Sequence, residues 1–171
     1  KSRRPSAPGT PWLQSFVAKI EDNIGETFRH LPAAEFEQTV ALLADRRTQL
    51  HVIGGRFTDA LAHYLSVQLR IVRPGVNHLR DQEANWYDQV LDMGKRDVLV
   101  IFDIRRYQAS LLRLAQAASR RQVSVVLITD QWLSPISRLA THVLPARIEA
   151  VSVWDSSVAL MALTEALLSE A

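Results

Sequence analysis

Three short apolar runs constrain this chain more than any other feature of it. Leu50 to Ile53, Val98 to Phe102 and Val123 to Ile128 are each followed by a polar loop and then by ten or more residues of helical periodicity. Short buried strands that alternate with helices at this interval point to βαβ units and a parallel sheet. Weaker strand signals at Val76 to Leu79 and His142 to Leu144 bring the expected number of strands to five. The expected fold class is therefore α/β, a three-layer α/β/α sandwich around a five-stranded parallel sheet. Trp154 to Leu168 is expected to close it as an apolar-striped helix.

Ahead of the first strand, Trp12, Phe16, Ile20, Ile24 and Phe28 recur at helical spacing, Pro32 breaks the pattern, and Phe36, Val40 and Leu43 resume it. Two amphipathic helices are expected over 12–44. Lys1 to Pro11 mixes Lys1, Arg3 and Arg4 with Pro5, Pro8, Gly9 and Pro11, a composition that builds no core and reads as a linker or cut end. The chain opens on Lys1 without an apolar signal region, so it reads as a piece of something longer. Its 171 residues are the length of one domain. No apolar run approaches the ~20 residues of a membrane span. Cysteine is absent, which removes disulfides, thiolate metal sites and cysteine nucleophiles and makes a cytoplasmic location the default. Twenty basic against eighteen acidic side chains leave a formal charge of +2, which does not argue for nucleic acid.

In an open parallel sheet, ligands bind beyond the carboxyl ends of the strands near the reversal of strand order. Three loops stand there. The first reads Gly54-Gly55-Arg56-Phe57-Thr58-Asp59. Its glycines allow a tight turn and close backbone approach, and Thr58 or Asp59 can cap the helix expected from Ala60 to Leu69. It has neither dinucleotide nor P-loop spacing. The second reads Asp103-Ile104-Arg105-Arg106-Tyr107-Gln108. Asp103, at the end of a central strand, needs a partner, and Arg105 and Arg106 are the nearest candidates in sequence. Either the acid and the arginines hold a polar ligand or they pair with one another and fix the loop. The third reads Thr129-Asp130-Gln131-Trp132-Leu133-Ser134-Pro135. Ser134 with Pro135 is an N-cap signature for a helix over Ile136 to Ala140.

This strand–loop–helix series resembles the sugar isomerase (SIS) domain, in particular the effector domain of RpiR-type transcriptional regulators, across nearly all of residues 12–171. Ile128-Thr129-Asp130, Ser134-Pro135 and Leu139-Ala140 are similar to the family's T-D…S-P-L…A-D stretch, with Thr141 where its second aspartate stands. Ser156-Ser157 and Ala159-Leu160 onward are similar to its last helix. The resemblance implies a flavodoxin-like strand order, a homodimer or tetramer, a small-molecule effector at the carboxyl edge of the sheet, no cofactor, and DNA contact only through a helix-turn-helix domain upstream of these residues. SIS domains hold phosphosugars with a G-x-G-x-S turn after the first strand and an S-x-S-G-x-T turn after the third. Here Arg56 stands at the second glycine, Asp103 and Arg105 at the serines, Arg106 at the glycine and Gln108 at the threonine. The site residues implied are Gly54, Gly55, Arg56, Thr58, Asp103, Arg105, Arg106, Thr129 and Ser134. The changed cradle favours an acidic metabolite with hydroxyl or amino groups over a simple phosphosugar.

No metal site is expected from His30, His51, His63, His78 and His142, whose spacing matches no ligand motif, and His51 and His142 read as structural histidines. A phosphosugar isomerase remains an alternative, with His78 and Glu83 the nearest acid–base pair. A dimerisation block that has lost its ligand is another.

Overall fold

The computed structural model describes residues 10–80 and 82–171. Residues 1–9 of the expected linker lie outside the described residues. The last two residues of that linker, Thr10 and Pro11, instead start a helix. Thr10 Oγ1 accepts a hydrogen bond from the Leu13 amide at 3.3 Å and Pro11 occupies the first helical position, where its missing N–H costs nothing. The helix, α1 (Pro11–His30), ends before Pro32, and α2 (Ala33–Ala44) follows.

Next come β1 (Gln49–Gly54), α3 (Asp59–Val72), β2 (Val76–His78), α4 (Glu83–Leu91), β3 (Asp97–Asp103), α5 (Ala109–Arg120), β4 (Ser124–Asp130), β5 (His142–Ala146) and α6 (Val158–Glu170). The five strands are all parallel in the order β2-β1-β3-β4-β5, the doubly wound arrangement expected. The chain moves outward from β1 to β2, then crosses back to β3. That reversal leaves the carboxyl ends of β1 and β3 side by side, with Gly54 opposite Phe102.

Both sheet faces are covered. On one, Val52, Val100 and Ile128 pack with Leu61 and Leu65 of α3, Leu160 and Leu163 of α6 and Leu43 of α2. On the other, Ile53, Leu99, Ile101 and Leu127 pack with Val90 of α4 and Leu111 and Leu114 of α5. α1 lies over α6 and β5. No helix of the described residues is long and apolar enough to cross a membrane.

Three expected elements differ. The helix expected over Ile136 to Ala140 is a single 3-10 turn, Pro135–Arg138, because Thr141 must already reach β4 and pairs with Val125 through both its amide and its hydroxyl. The closing helix begins at Val158, not Trp154. The segment before it folds back, with the Ser156 amide donating to the Ile148 carbonyl at 2.8 Å, and Trp154 is left exposed. Thr58 occupies the N-cap position of α3, but its hydroxyl bonds elsewhere.

The β1–α3 turn admits no side chain at Gly54. A Cβ there would lie 2.5 to 2.6 Å from backbone atoms of Thr58 and Asp59. Gly54→Ala is expected to lower unfolding free energy by about 3 kcal/mol, read from urea denaturation. A loss under about 1 kcal/mol would show that the turn can open without penalty.

Candidate functional site

The turn after β1 is bound to β3 rather than left open. The Phe102 carbonyl accepts both from the Gly55 amide at 3.1 Å and from the Thr58 hydroxyl at 2.7 Å, and the Thr58 oxygen in turn accepts from Gly55 N at 2.8 Å. Gly54, Gly55 and Thr58 are buried, while Arg56 is exposed with its guanidinium 5.3 Å from the Phe57 ring centre. The Arg56 amide donates to Gln108 Oε1 at 2.5 Å, an acceptor supplied by the start of α5.

Asp103 is buried, and neither arginine beside it in sequence is its partner. Ser134 Oγ donates to Asp103 Oδ2 at 2.5 Å and the Gln108 amide donates to Oδ1 at 3.3 Å. Arg105 turns away to Asp155, with Nη2 and Oδ1 2.5 Å apart, and lies 4.0 Å from the Trp132 ring centre. The Asp155 carboxylate raises the pKa of Arg105. Arg106 stands exposed at the rim of a cleft of about 470 Å³, lined by Asp103, Arg105, Tyr107, Gln108, Leu112 and Ser134 among others.

Two residues organise this edge in ways their sequence neighbours did not signal. Asp130 accepts from the Arg105 amide at 2.7 Å, the Trp132 amide at 3.0 Å and the Tyr107 hydroxyl at 2.7 Å. Burial, followed by the bond to Asp130, raises the Tyr107 pKa. Thr129, expected to face a ligand, is fully buried, and its Oγ1 accepts from the Ser134 amide at 3.1 Å, which makes it a brace for the third loop. Gln108, in the sequence only a departure from the family's pattern, links the first two loops.

The acid–base pair His78 and Glu83 does not form. His78 Nε2 is 2.7 Å from Asp59 Oδ1 and its ring stacks on His63, whereas Glu83 accepts from Arg113 at 2.7 Å. His142 Nδ1 lies 3.3 Å from Glu35 Oε2. His51 Nδ1 has no hydrogen-bond partner among the described residues, and burial lowers the His51 pKa. No group of three or more His, Asp or Glu among the described residues is arranged to hold a metal ion.

Burial pushes the Asp103 pKa up, and the charge of Asp130 adds to it, against the opposing bonds from Ser134 and Gln108. The folded state therefore holds the Asp103 proton more tightly than the unfolded chain does. The stability this contributes is complete below the unfolded carboxylate range and is lost as pH rises through the folded pKa. Asp103→Asn removes the titration, so urea unfolding from about pH 4 to 7 should move in the variant's favour relative to wild type. A difference that stays constant over that range would contradict the assignment.

The SIS domain family model matches residues 42–170. A search of curated proteins finds no match. Among solved structures, the chain is similar to the sugar isomerase domain of an RpiR transcription factor from Sphaerobacter thermophilus, at 24% identity and a TM-score of 0.82, with 91% of this chain and 86% of that one covered. It is similar to the Vibrio vulnificus NanR protein, solved in complex with ManNAc-6P, at 16% identity and a TM-score of 0.77, covering 95% of this chain and 62% of that one. The C-terminal domain of glucosamine-fructose-6-phosphate aminotransferase from Francisella tularensis matches at 12% identity and a TM-score of 0.66, covering 90% of this chain and 42% of that one. One fold thus occurs in regulators and in an enzyme, and at these identities the likenesses speak for the fold. With the family model spanning every strand of a sheet ordered 2-1-3-4-5, this chain belongs to the SIS domain family.

Proposed function

We propose that this chain is the ligand-sensing and dimerising domain of an RpiR-type transcriptional regulator, taking a small metabolite in the cleft beside Asp103. The observation that carries the reading is the cleft's chemistry. It offers a buried carboxylate paired to a hydroxyl on its floor and an exposed arginine on its rim, with Arg105 and Tyr107 along its wall. Such a site suits a ligand with an amino or hydroxyl group at one end, meeting Asp103, and a carboxylate or phosphate at the other, meeting Arg106. Gly54, Gly55, Thr58 and Thr129 shape this site from behind.

Arg105 belongs to the cleft wall. Its exposed pair with Asp155 and its stacking on Trp132 are together worth about 1 kcal/mol, so a ligand anion can draw it away at small cost. DNA is reached only through a helix-turn-helix domain outside these residues, and the domain works in a reducing, cytoplasmic setting without a cofactor. Self-association is supported by α1, along which Trp12, Leu13, Val17 and Phe28 are exposed.

One observation favours an isomerase instead, since Asp103 is a buried carboxylate of raised pKa in a cleft. Tyr107, which also lines the cleft, is held by Asp130, however, and so gives Asp103 no free acid–base partner. A thermal-shift screen of hydroxy- and amino-acid metabolites and their phosphates is the deciding experiment. A stabilising ligand is expected, and Asp103→Ala and Arg106→Ala should each weaken it by about tenfold or more in calorimetry. Interconversion of an aldose and a ketose phosphate by the wild-type chain would assign the isomerase. Failure of every metabolite to stabilise it would leave only a dimerisation block. Sedimentation at micromolar concentration should show a dimer, and a stable monomer would remove the means by which a subunit rearrangement carries the signal.

A further inference from the structure

The turn after β1 and the first turn of α5 face each other across the strand reversal, and both present backbone N–H groups. A glycine turn or a helix start at the carboxyl end of a strand is where an anion's oxygens find donors. Here the chain supplies the acceptors itself. Gln108 Oε1 takes the Arg56 amide, Asp103 Oδ1 takes the Gln108 amide, and the Gly55 amide is shared between the Phe102 carbonyl and Thr58 Oγ1.

Gln108 lies close over the turn, since a Cβ built on Gly55 would be 2.5 Å from its Oε1. Its side chain is also a physical wall. The cleft is lined by residues from 103–109, Leu112, Ser134 and Pro135, and none of its lining comes from the turn at 54–58.

We propose that Gln108 is the specificity-determining residue of this site: its carboxamide oxygen stands in for a ligand oxyanion at the Arg56 amide and so keeps phosphate off the turn after β1. The proposal rests on the reading of the cleft as a ligand site and deepens it by naming what decides the ligand class. A carboxamide matches one oxygen of a phosphate as an acceptor while bringing no net charge, so it satisfies the exposed donor without adding to the charge of Asp103 nearby. A shorter side chain at this position joins the cleft to the turn and frees the Arg56 amide to bind an anion.

The test uses inorganic phosphate and glucose 6-phosphate as probes, with ¹⁵N-resolved NMR reading the Arg56 and Gly55 amides and calorimetry reading affinity. In the wild type, millimolar phosphate should leave the Arg56 amide unmoved. In Gln108→Thr and, independently, Gln108→Ser, that resonance should shift with phosphate, and glucose 6-phosphate should bind about tenfold or more tightly than to wild type. Thermal melting confirms folding, and either variant alone carries the readout if the other does not fold.

Asp103→Asn separates charge from occlusion, because it removes the nearby negative charge and leaves Gln108 in place. It should gain less than about twofold. A wild-type Arg56 amide that moves with phosphate as strongly as in the variants overturns the proposal, as does an Asp103→Asn gain equal to that of Gln108→Thr. These readouts need no physiological ligand. The sensor reading can therefore fail in the metabolite screen while the Arg56 titration succeeds, and the reverse outcome is equally distinct.

Discussion

The carbonyl of Phe102 accepts two hydrogen bonds across the strand reversal, from the Gly55 amide and the Thr58 hydroxyl, and the geometry of the whole carboxyl edge follows from that junction. Parallel pairing of β1 with β3 brings Gly54 opposite Phe102, so the first loop must leave its strand directly beside the end of β3. Thr58 is thereby spent on the sheet and cannot cap α3 with its side chain. Gly54 must be a glycine because the backbone of Thr58 and Asp59 has been drawn up against it. The sharp turn that results leaves the Arg56 amide facing outward, and Gln108 meets it.

The acids at the strand ends show why proximity in sequence misidentifies partners. Asp103 has Arg105 two residues away, yet that arginine pairs with Asp155, fifty residues on, and the acid takes Ser134 and Gln108. A side chain at the end of a central strand sees the loops of its neighbouring strands before it sees its own. Asp130 behaves likewise, taking the Arg105 amide and the Tyr107 hydroxyl from the loop after β3. A buried carboxylate needs several donors to offset its desolvation, and backbone amides of a tight loop supply them without the entropy that a long arginine side chain would lose.

Those same considerations separate what was legible in the sequence from what was not. The apolar runs and helical stripes mark the five strands and the order of the helices because burial on both sheet faces leaves no other arrangement for them. The loops were legible in location but not in role. Thr129 looks like a free hydroxyl after a strand, and only the register that sets Asp103 beside Thr129 shows it turned inward to brace Ser134. Leu133 adopts a φ of 66°, a left-handed conformation that no rule about leucine anticipates, and the return of its amide to the Asp130 carbonyl holds it there. The start of α6 was more readable than Trp154 suggested. Ser156 and Ser157 precede the periodic residues; Ser157, at the N-cap, makes no side-chain cap bond, and Ser156 Oγ accepts from the Val158 amide at 3.3 Å in a turn that leads into the helix.

The floor of the cleft and its wall differ in how easily they yield. Asp103, Thr129 and Ser134 are buried and bonded to one another or to backbone, so displacing any of them leaves a polar group unsatisfied, at about 1 to 3 kcal/mol each. The wall rests on the surface pair of Arg105 with Asp155, which costs far less to break. Asp155 lies on the segment between β5 and α6, and that segment is fastened at its other end to α1. The Asn23 amide group donates to the Glu149 carbonyl at 2.6 Å, Lys19 pairs with the Glu149 carboxylate at 2.9 Å, and Thr27 Oγ1 accepts from the Arg147 amide at 2.8 Å. Gln131, from the third loop, accepts from the Ile148 amide between them. The weakly held side of the cleft and the long N-terminal helix therefore grip one stretch of chain from opposite ends, while the strongly held floor stays fixed to the sheet.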